Sequence, residues 1–383
     1  MTLLKRIKEI KKLIHNSKNP FLFFDADDDG TSSLFQLKKV FPQIKDFAPF
    51  KKNEKSLRNI ISFVNKTHDL ILFFDIPYIE EWFLDELKGK KIVWVDHHIG
   101  NYREVIKKHQ ILYLNPLDYN KNDSRSASYF AYKISSKKEN LFFCVLGTLA
   151  DSFLLPQIVE LYKLYPKEFK LLFNINFYRR KKLFSFVEKN KFNSISDEKE
   201  RREWIDYLWY ECGFINYKNY FELLYKFGYE KEQIEHLNSI IDLNPIEFAR
   251  EVNKGKSEYN IEFNKLKKDY NTLIKDARKR TKGPLVYYEH SGKNSFNRQI
   301  AEELAYRKKK GKVIISVFKK EGKPFYSASI RGKTFDVEKM IKECLVGLNG
   351  SGGGHKYSVG VGISEVDFEE FKKRIEKYVY ESN

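Results

Sequence analysis

The chain has 383 residues, more than one ordinary core organises and enough for two or three domains. Its hydrophobic fraction of 42% and aromatic fraction of 16% supply a packed interior and exclude a disordered chain. A formal net charge of +18 points to a polyanionic partner, foremost nucleic acid; a merely lysine-rich, solvated surface is the plainer alternative.

The N-terminal segment MTLLKRIKEIKKLIHNS (Met1 to Ser17) mixes basic and apolar positions and reads as an amphipathic helix, not a signal peptide. No apolar stretch approaches the roughly 20 residues of a membrane span. Cys144, Cys212 and Cys344 lie far apart and suggest neither a disulfide framework nor a zinc site. A cytoplasmic protein without a membrane partner is expected.

Three short apolar runs follow: FLFF (Phe21 to Phe24), LILFF (Leu70 to Phe74) and KIVWV (Lys91 to Val95). Their length and their β-branched and aromatic content fit buried strands. Helix-like segments between them predict an alternating α/β domain with a parallel sheet. ILYL (Ile111 to Leu114) is a fourth strand, and LFFCVLGTLAD (Leu141 to Asp151) is a buried helix ending in an acid. From Pro156 to Lys275 apolar residues recur at helical spacing, and a long charged helix stops at Gly283-Pro284. Strand signals return in PLVYYE, KVIISVFK, PFYSASIRG and YSVGVGI. The expected division is 1–160 for the first α/β domain, 161–282 for a helical insertion and connector, and 283–383 for a smaller α/β domain.

Each of the first three strands ends in acid: Asp25, Asp27 and Asp29, then Asp75, then Asp96 followed by His97 and His98. In open parallel sheets, ligands bind at the carboxyl ends of the strands. These groups should converge there, joined by Asp151. Clustered carboxylates need a counter-charge. Asp with one or two His suits Mn²⁺ or Mg²⁺ and lacks the thiolates of a structural zinc site. A carboxylate shared by two cations would make a hydrolytic centre for phosphoryl displacement. Each motif alone has a bland alternative. DADDDG could be a solvated turn, but a calcium loop fails because its twelfth position is Gln36. Asp75 could be a helix N-cap before Pro77, and DHH could be a surface turn.

DADDDG, DIP, VDHH and the later Asp151 resemble the DHH phosphoesterase superfamily. SASIRG (Ser327 to Gly332) and GSGGGHKYSVGVGI (Gly350 to Ile363) resemble its DHH-associated C-terminal domain. The D-x-D-x-D-G form of the first motif is similar to RecJ-type single-strand exonucleases. Length and basicity look most like the archaeal RecJ-like branch, which includes the GINS-associated nuclease. The resemblance implies a parallel-sheet catalytic domain, a helical connector, a smaller α/β domain and an active site in the interdomain cleft. It implies two divalent metals, with Mn²⁺ ahead of Mg²⁺. Asp27 and Asp75 would hold one, with Asp25 nearby. Asp29, His97 and Asp151 would hold the other, with Asp75 bridging. Asp96 would orient the histidine pair, and His98 would face the scissile phosphate. Single-stranded DNA or RNA would be the partner, in replication or repair, with replisome GINS a further partner. The rival readings are a phosphatase of oligoribonucleotides, phosphoadenosine phosphate or cyclic dinucleotides, and a metal-free replisome scaffold.

In the C-terminal domain Gly352, Gly353 and Gly354 let backbone amides approach an anion, and His355 adds a donor. Arg331 offers a bidentate fork, with Ser329 beside it by resemblance. A glycine-rich hairpin is the alternative. Lys356 and Tyr357 depart from the small residues that commonly follow GGGH. Three further basic runs are FYRRKKLF (Phe177 to Phe184), KDARKRTK (Lys275 to Lys282) and RKKKGK (Arg307 to Lys312). The first interleaves aromatics with charge, as a single-strand stacking groove would; each could equally be a solvated helix face.

Overall fold

Runs of Phe, Leu, Ile and Val leave no polar face, so the first strands are buried on both sides. They are β1 (Pro20–Phe24), β3 (Leu70–Phe74) and β4 (Lys91–Val95), which with the partly buried edge strands β2 (Asp46–Pro49) and β5 (Leu112–Leu114) form a parallel sheet in the order β2-β1-β3-β4-β5. The computed structural model describes residues 2–50, 54–87, 89–123, 125–151, 153–190, 198–224, 231–253, 261–280, 283–307, 313–332 and 335–381. The chain divides into two compact units, 1–261 and 262–383.

In the first unit the helices are α1 (Leu3–Asn16), α2 (Asp28–Lys38), α3 (Glu54–Thr67), α4 (Glu81–Glu86), α5 (Arg103–Lys108), α6 (Ala127–Ser135) and α7 (Leu141–Ala150). One sheet face carries Phe23, Phe73 and Trp94 against Leu57, Ile61 and Phe83 of α3 and α4. Phe23 and Phe73 stack with centroids 5.2 Å apart. Each such ring contributes about 1.5–3 kcal/mol by burial. α2 packs between the sheet and the pair α6 and α7. Leaving β1, the chain goes first to β2 on one side, then to β3 on the other. That reversal of direction opens a crevice at the carboxyl ends of β1 and β3.

The helical region continues as α8 (Gln157–Leu164), α9 (Phe169–Leu172), α10 (Phe177–Asn190), α11 (Glu198–Asp206), a π-helical turn (Tyr207–Glu211), α12 (Phe214–Leu224), α13 (Lys231–Ile241) and α14 (Pro245–Asn253). It belongs to the first unit. Phe248 of α14 fastens it, with its ring 6.0 Å from Phe35 of α2, 5.4 Å from Phe143 of α7 and 5.6 Å from Phe221 of α12.

The second unit comprises α15 (Ile261–Ala277), β6 (Leu285–Gly292), α16 (Asn297–Arg307), β7 (Val313–Lys320), β8 (Phe325–Gly332), α17 (Val337–Cys344), β9 (Gly350–His355), β10 (Ser358–Ser364) and α18 (Phe368–Glu381). The strand order is β6-β7-β8-β10-β9, antiparallel except for β6 and β7. α17 and α18 cover one face through Val337, Met340, Ile341, Phe368 and Phe371. The long charged helix α15 joins this unit through Tyr270, whose hydroxyl donates to Glu303 Oε2 at 2.8 Å.

The α/β class and both sheets agree with the sequence reading. Two strands differ from it. β2 is a short edge strand ending in Pro49, too brief to register as an apolar run. β9 is the glycine-rich segment itself, which pairs with β10 from Gly350 to His355; glycine carries no β-propensity, so only the partner strand reveals it. Among the described residues the three cysteines are free and buried, and no helix is long and apolar enough to cross a membrane.

Candidate metal centre

Strand register brings the acids together. Phe24 pairs with Phe74, and Phe74 with Val95, so the next residues emerge side by side. The ladder runs one residue further: Asp25 N–H donates to Phe74 O (3.2 Å), Asp75 N–H to Val95 O (2.9 Å) and Asp96 N–H to Leu114 O (3.0 Å). At Asp75 the backbone turns into the left-handed region, with φ 62°. Few residues but Gly, Asn and Asp tolerate that. The turn beyond is held by Trp94, which donates from Nε1 to Ile76 O at 2.8 Å, and by Tyr102, which donates to Pro77 O.

Asp27 is the N-cap of α2: its Oδ1 accepts from the amides of Asp29 and Gly30, both at 3.0 Å. Gly30 is required here, because a Cβ would overlap the Asp25 backbone, 2.8 Å from its nitrogen. Asp29 is fully buried and caps a different helix. Its Oδ2 accepts from Ala127 N–H (2.7 Å) and its Oδ1 from Ser128 N–H (3.0 Å) at the start of α6, where the positive end of the helix dipole favours a carboxylate. Gly147 of α7 makes room, since a Cβ there would lie 2.9 Å from Asp29 Oδ1 and closer still to Ser128. Asp151 ends α7 as its C-cap.

Three groups have ligand atoms within 4.8 Å of one another: Asp25, Asp27 and Asp75; Asp29, His97 and Asp151; and Asp75, His97 and His98. Asp75 and His97 each belong to two. His97 Nε2 lies 3.0 Å from Asp151 Oδ2, 3.3 Å from Asp75 Oδ1 and 3.9 Å from Asp29 Oδ2. One imidazole nitrogen carries at most one proton, which cannot serve three carboxylates. Asp75 Oδ1 and Asp151 Oδ2 in fact remain buried without a well-formed hydrogen bond among the described residues. Such orphaned anionic atoms fit a hard divalent cation.

The electrostatics agree. Burial first, then Asp151, pushes the Asp29 carboxyl up to about 7, with His97 opposing. Burial, then Asp29 and Asp27, holds Asp75 well above the usual carboxylate range. Burial alone would lower His97, but Asp151 and Asp75 outweigh it and raise the imidazole well above its ordinary value. Without a cation, therefore, the cluster keeps protons to limit its own repulsion.

His98 has a separate arrangement. Its Nδ1 lies 2.7 Å from Asp96 Oδ1, and its amide donates to Asp96 Oδ2 at 3.3 Å. Asp96 is buried and His98 half-exposed. Burial opposes the charged imidazole, yet Asp96 raises its pKa. Asn115 fixes the loop by donating to His98 O at 2.9 Å.

In the second unit the residues singled out from sequence fall in two rows across β8, β10 and β9. Ser329, Gly360 and Gly353 lie opposite one another, as do Arg331, Ser358 and His355. A Cβ at Gly353 or Gly360 would meet nothing within 4 Å, so this face is open, whereas Gly352 packs toward Ile341 and Gly354 toward the Ser358 backbone. Arg331 is engaged: its guanidinium donates to Glu302 Oε1 of α16 at 3.0 Å. The His355 side chain, residues 281–282 of KDARKRTK and residues 308–312 of RKKKGK lie outside the described residues.

Sequence reasoning missed Ala127, Ser128, Gly147 and Asn115. A serine ahead of the apolar run at Ala127 was the available signal for a helix start, but nothing local says that a carboxylate from the first strand's end completes it.

Residues 282–381 match the DHHA1 domain family. Comparison with curated proteins by sequence gives no match. Among solved structures the chain is similar to RecJ of Thermus thermophilus in complex with Mn²⁺, at 15% identity and TM-score 0.63 over 99% of this chain and 55% of that one. It thus spans about half the length of that relative. It is also similar to an exonuclease RecJ bound to manganese (15% identity, TM-score 0.56, 99% and 94% covered), and to CDC45 of Entamoeba histolytica (11%, 0.52, 99% and 97%). At these identities the likeness establishes the fold, and it is the fold of RecJ-like DHH proteins with a DHHA1 domain.

Proposed function

We propose that this chain, with a RecJ-like DHH fold and a DHHA1 domain, is a divalent-metal phosphodiesterase that degrades single-stranded nucleic acid from an end. The observation that carries the reading is the convergence of Asp75 and Asp151 oxygens, buried and without a proper donor, on one histidine nitrogen. Asp25, Asp27 and Asp75 would hold one cation. Asp29, His97 and Asp151 would hold the second, with Asp75 shared between the two. Bound there, Mn²⁺ or Mg²⁺ supplies neutralisation of phosphate charge and an acidified water.

The chain's own residues do the rest. Asp96 accepts from His98 Nδ1 and so turns Nε2 outward, half-exposed, as a donor toward a phosphate oxygen or leaving group. Asp96 also favours the protonated imidazole, which suits that role near neutral pH. Asp27 and Asp29, each fixed by backbone amides, hold the acidic wall rigid while substrate binds. In the DHHA1 unit the open Ser329–Gly360–Gly353 row lets a sugar–phosphate backbone approach the sheet closely, and Arg331 supplies a cation beside it. The net charge of +18 fits a polyanionic substrate better than a small nucleotide.

End-labelled single-stranded DNA and RNA, tested from both ends with Mn²⁺ and Mg²⁺, check the reading. Release of mononucleotides from one end, abolished by chelation, is expected. Cleavage confined to dinucleotides would overturn the strand-degrading part. No cleavage with any divalent metal would overturn the whole.

A further inference from the structure

Helix α10 combines features that a solvated helix face does not need. Leu183, Phe186 and Val187 point inward and are buried, while Phe177 and Tyr178 are 59% and 74% exposed. Arg179, Lys181 and Lys182 are exposed beside them. Lys181 lies 4.7 Å over the Phe177 ring and Lys182 5.7 Å over Tyr178. No acid occurs between Phe177 and Val187.

This face connects to the metal centre through the same unit. Arg179 sits 5.0 Å over the ring of Tyr207, the first residue of the π-helical turn. Within that turn Trp209 donates from Nε1 to Leu149 O at 3.1 Å, two residues before Asp151. Arg201 of α11 lies 6.0 Å over Phe153, two residues after Asp151. Its Nε is buried without a partner among the described residues. Cations and aromatic rings therefore run from the surface of α10 to the end of α7. π-Helical turns are often functional, and this one carries the connection.

We infer that α10 and the π-helical turn bind a single strand of nucleic acid that continues from the hydrolytic centre. Arg179, Lys181, Lys182 and Arg201 take phosphates, and Phe177 and Tyr178 stack bases. The inference rests on the function proposed above and names its substrate as a strand longer than a dinucleotide. Aromatic and basic side chains also suit an anionic membrane surface, but a membrane site has no reason to lead back to an acidic crevice.

The test measures binding of a labelled oligothymidylate by the metal-free protein, which cannot hydrolyse it, across a salt series. For a single strand the log–log slope is about −0.7 per phosphate contact. The triple variant Arg179→Glu, Lys181→Glu, Lys182→Glu should therefore shallow the slope by about 2. Phe177→Ala with Tyr178→Ala should weaken binding at least about fivefold per base stacked, with an unchanged slope. All five side chains are exposed, and melting temperatures should stay at the parent value. A parent-like slope and affinity in both variants would overturn the inference. So would loss of binding to vesicles of anionic phospholipid with strand binding intact. Hydrolysis of a dinucleotide by the unaltered protein with Mn²⁺ reports on the centre itself, so a failed centre is told apart from a failed strand surface.

Discussion

Replacing Asp75 with Asn isolates charge from shape. Asn keeps the side-chain volume and tolerates the left-handed backbone at φ 62°, so the turn after β3 survives. Asp75 belongs to two of the three ligand groups and is 1% exposed, so the change weakens both cation positions and water cannot compensate. Losing that stabilisation costs several kcal/mol of transition-state energy, and at 1.36 kcal/mol per decade turnover should fall about 10³-fold or more. Stability of the metal-free protein should move the other way. Burial, Asp29 and Asp27 raise the Asp75 carboxyl well above its unfolded value. Stability tied to such a group is fully present below the unfolded pKa and is lost as pH rises through the folded one. As pH climbs above the unfolded value the metal-free parent gives up that stability and Asp75→Asn does not. Thermal melts with and without Mn²⁺, beside a turnover assay, read all of this. The variant should melt at or above the metal-free parent, lose most of the Mn²⁺-induced rise, and lose turnover. A variant that keeps both the rise and near-parent turnover refutes the shared-ligand assignment.

The remaining predictions concern the supports of the centre. The metal-free parent should lose stability as pH rises from about 4 through about 7, because the Asp29 carboxyl is pushed up from 3.8 to about 7; Mn²⁺ binding should then release protons, seen as buffer-dependent heats in calorimetry, and proton uptake would contradict it. Gly147→Ala places a methyl against Ser128 and Asp29 and should destabilise by about 1–3 kcal/mol in denaturant melts while loosening metal binding. His98→Gln should lower kcat by about 10²–10⁴-fold and leave the Mn²⁺-induced melting shift in place. Arg331→Ala should raise KM for single strands without changing metal binding by calorimetry, since Arg331 lies in the DHHA1 unit and pairs with Glu302.

What the sequence made legible was the part written in local runs. FLFF, LILFF and KIVWV announce strands by composition, and each is followed by its acid, so Asp25, Asp75 and Asp96 could be placed at one sheet edge. The order of the strands was not legible, because β2 is a four-residue edge strand whose Asp46–Pro49 segment carries little apolar signal. Nor was the capping by Asp27 and Asp29, one closing its own helix and the other closing α6, far along the chain. Such a contact depends on how α2, α6 and α7 pack, which Gly147 permits but does not announce. GGGH was visible as a motif, though its place as the edge strand β9 was not. The pairing of Arg331 with Glu302 links β8 to α16 and has no signature in either segment.

The central claim is that the buried acids exist to hold two cations. Crystals soaked in Mn²⁺ and measured at the manganese absorption edge test it most directly. Two anomalous peaks roughly 3.5–4 Å apart, on either side of the Asp75 carboxylate and with His97 and Asp151 on one of them, are the predicted result. A featureless map around Asp75, or manganese bound only elsewhere on the chain, would contradict it.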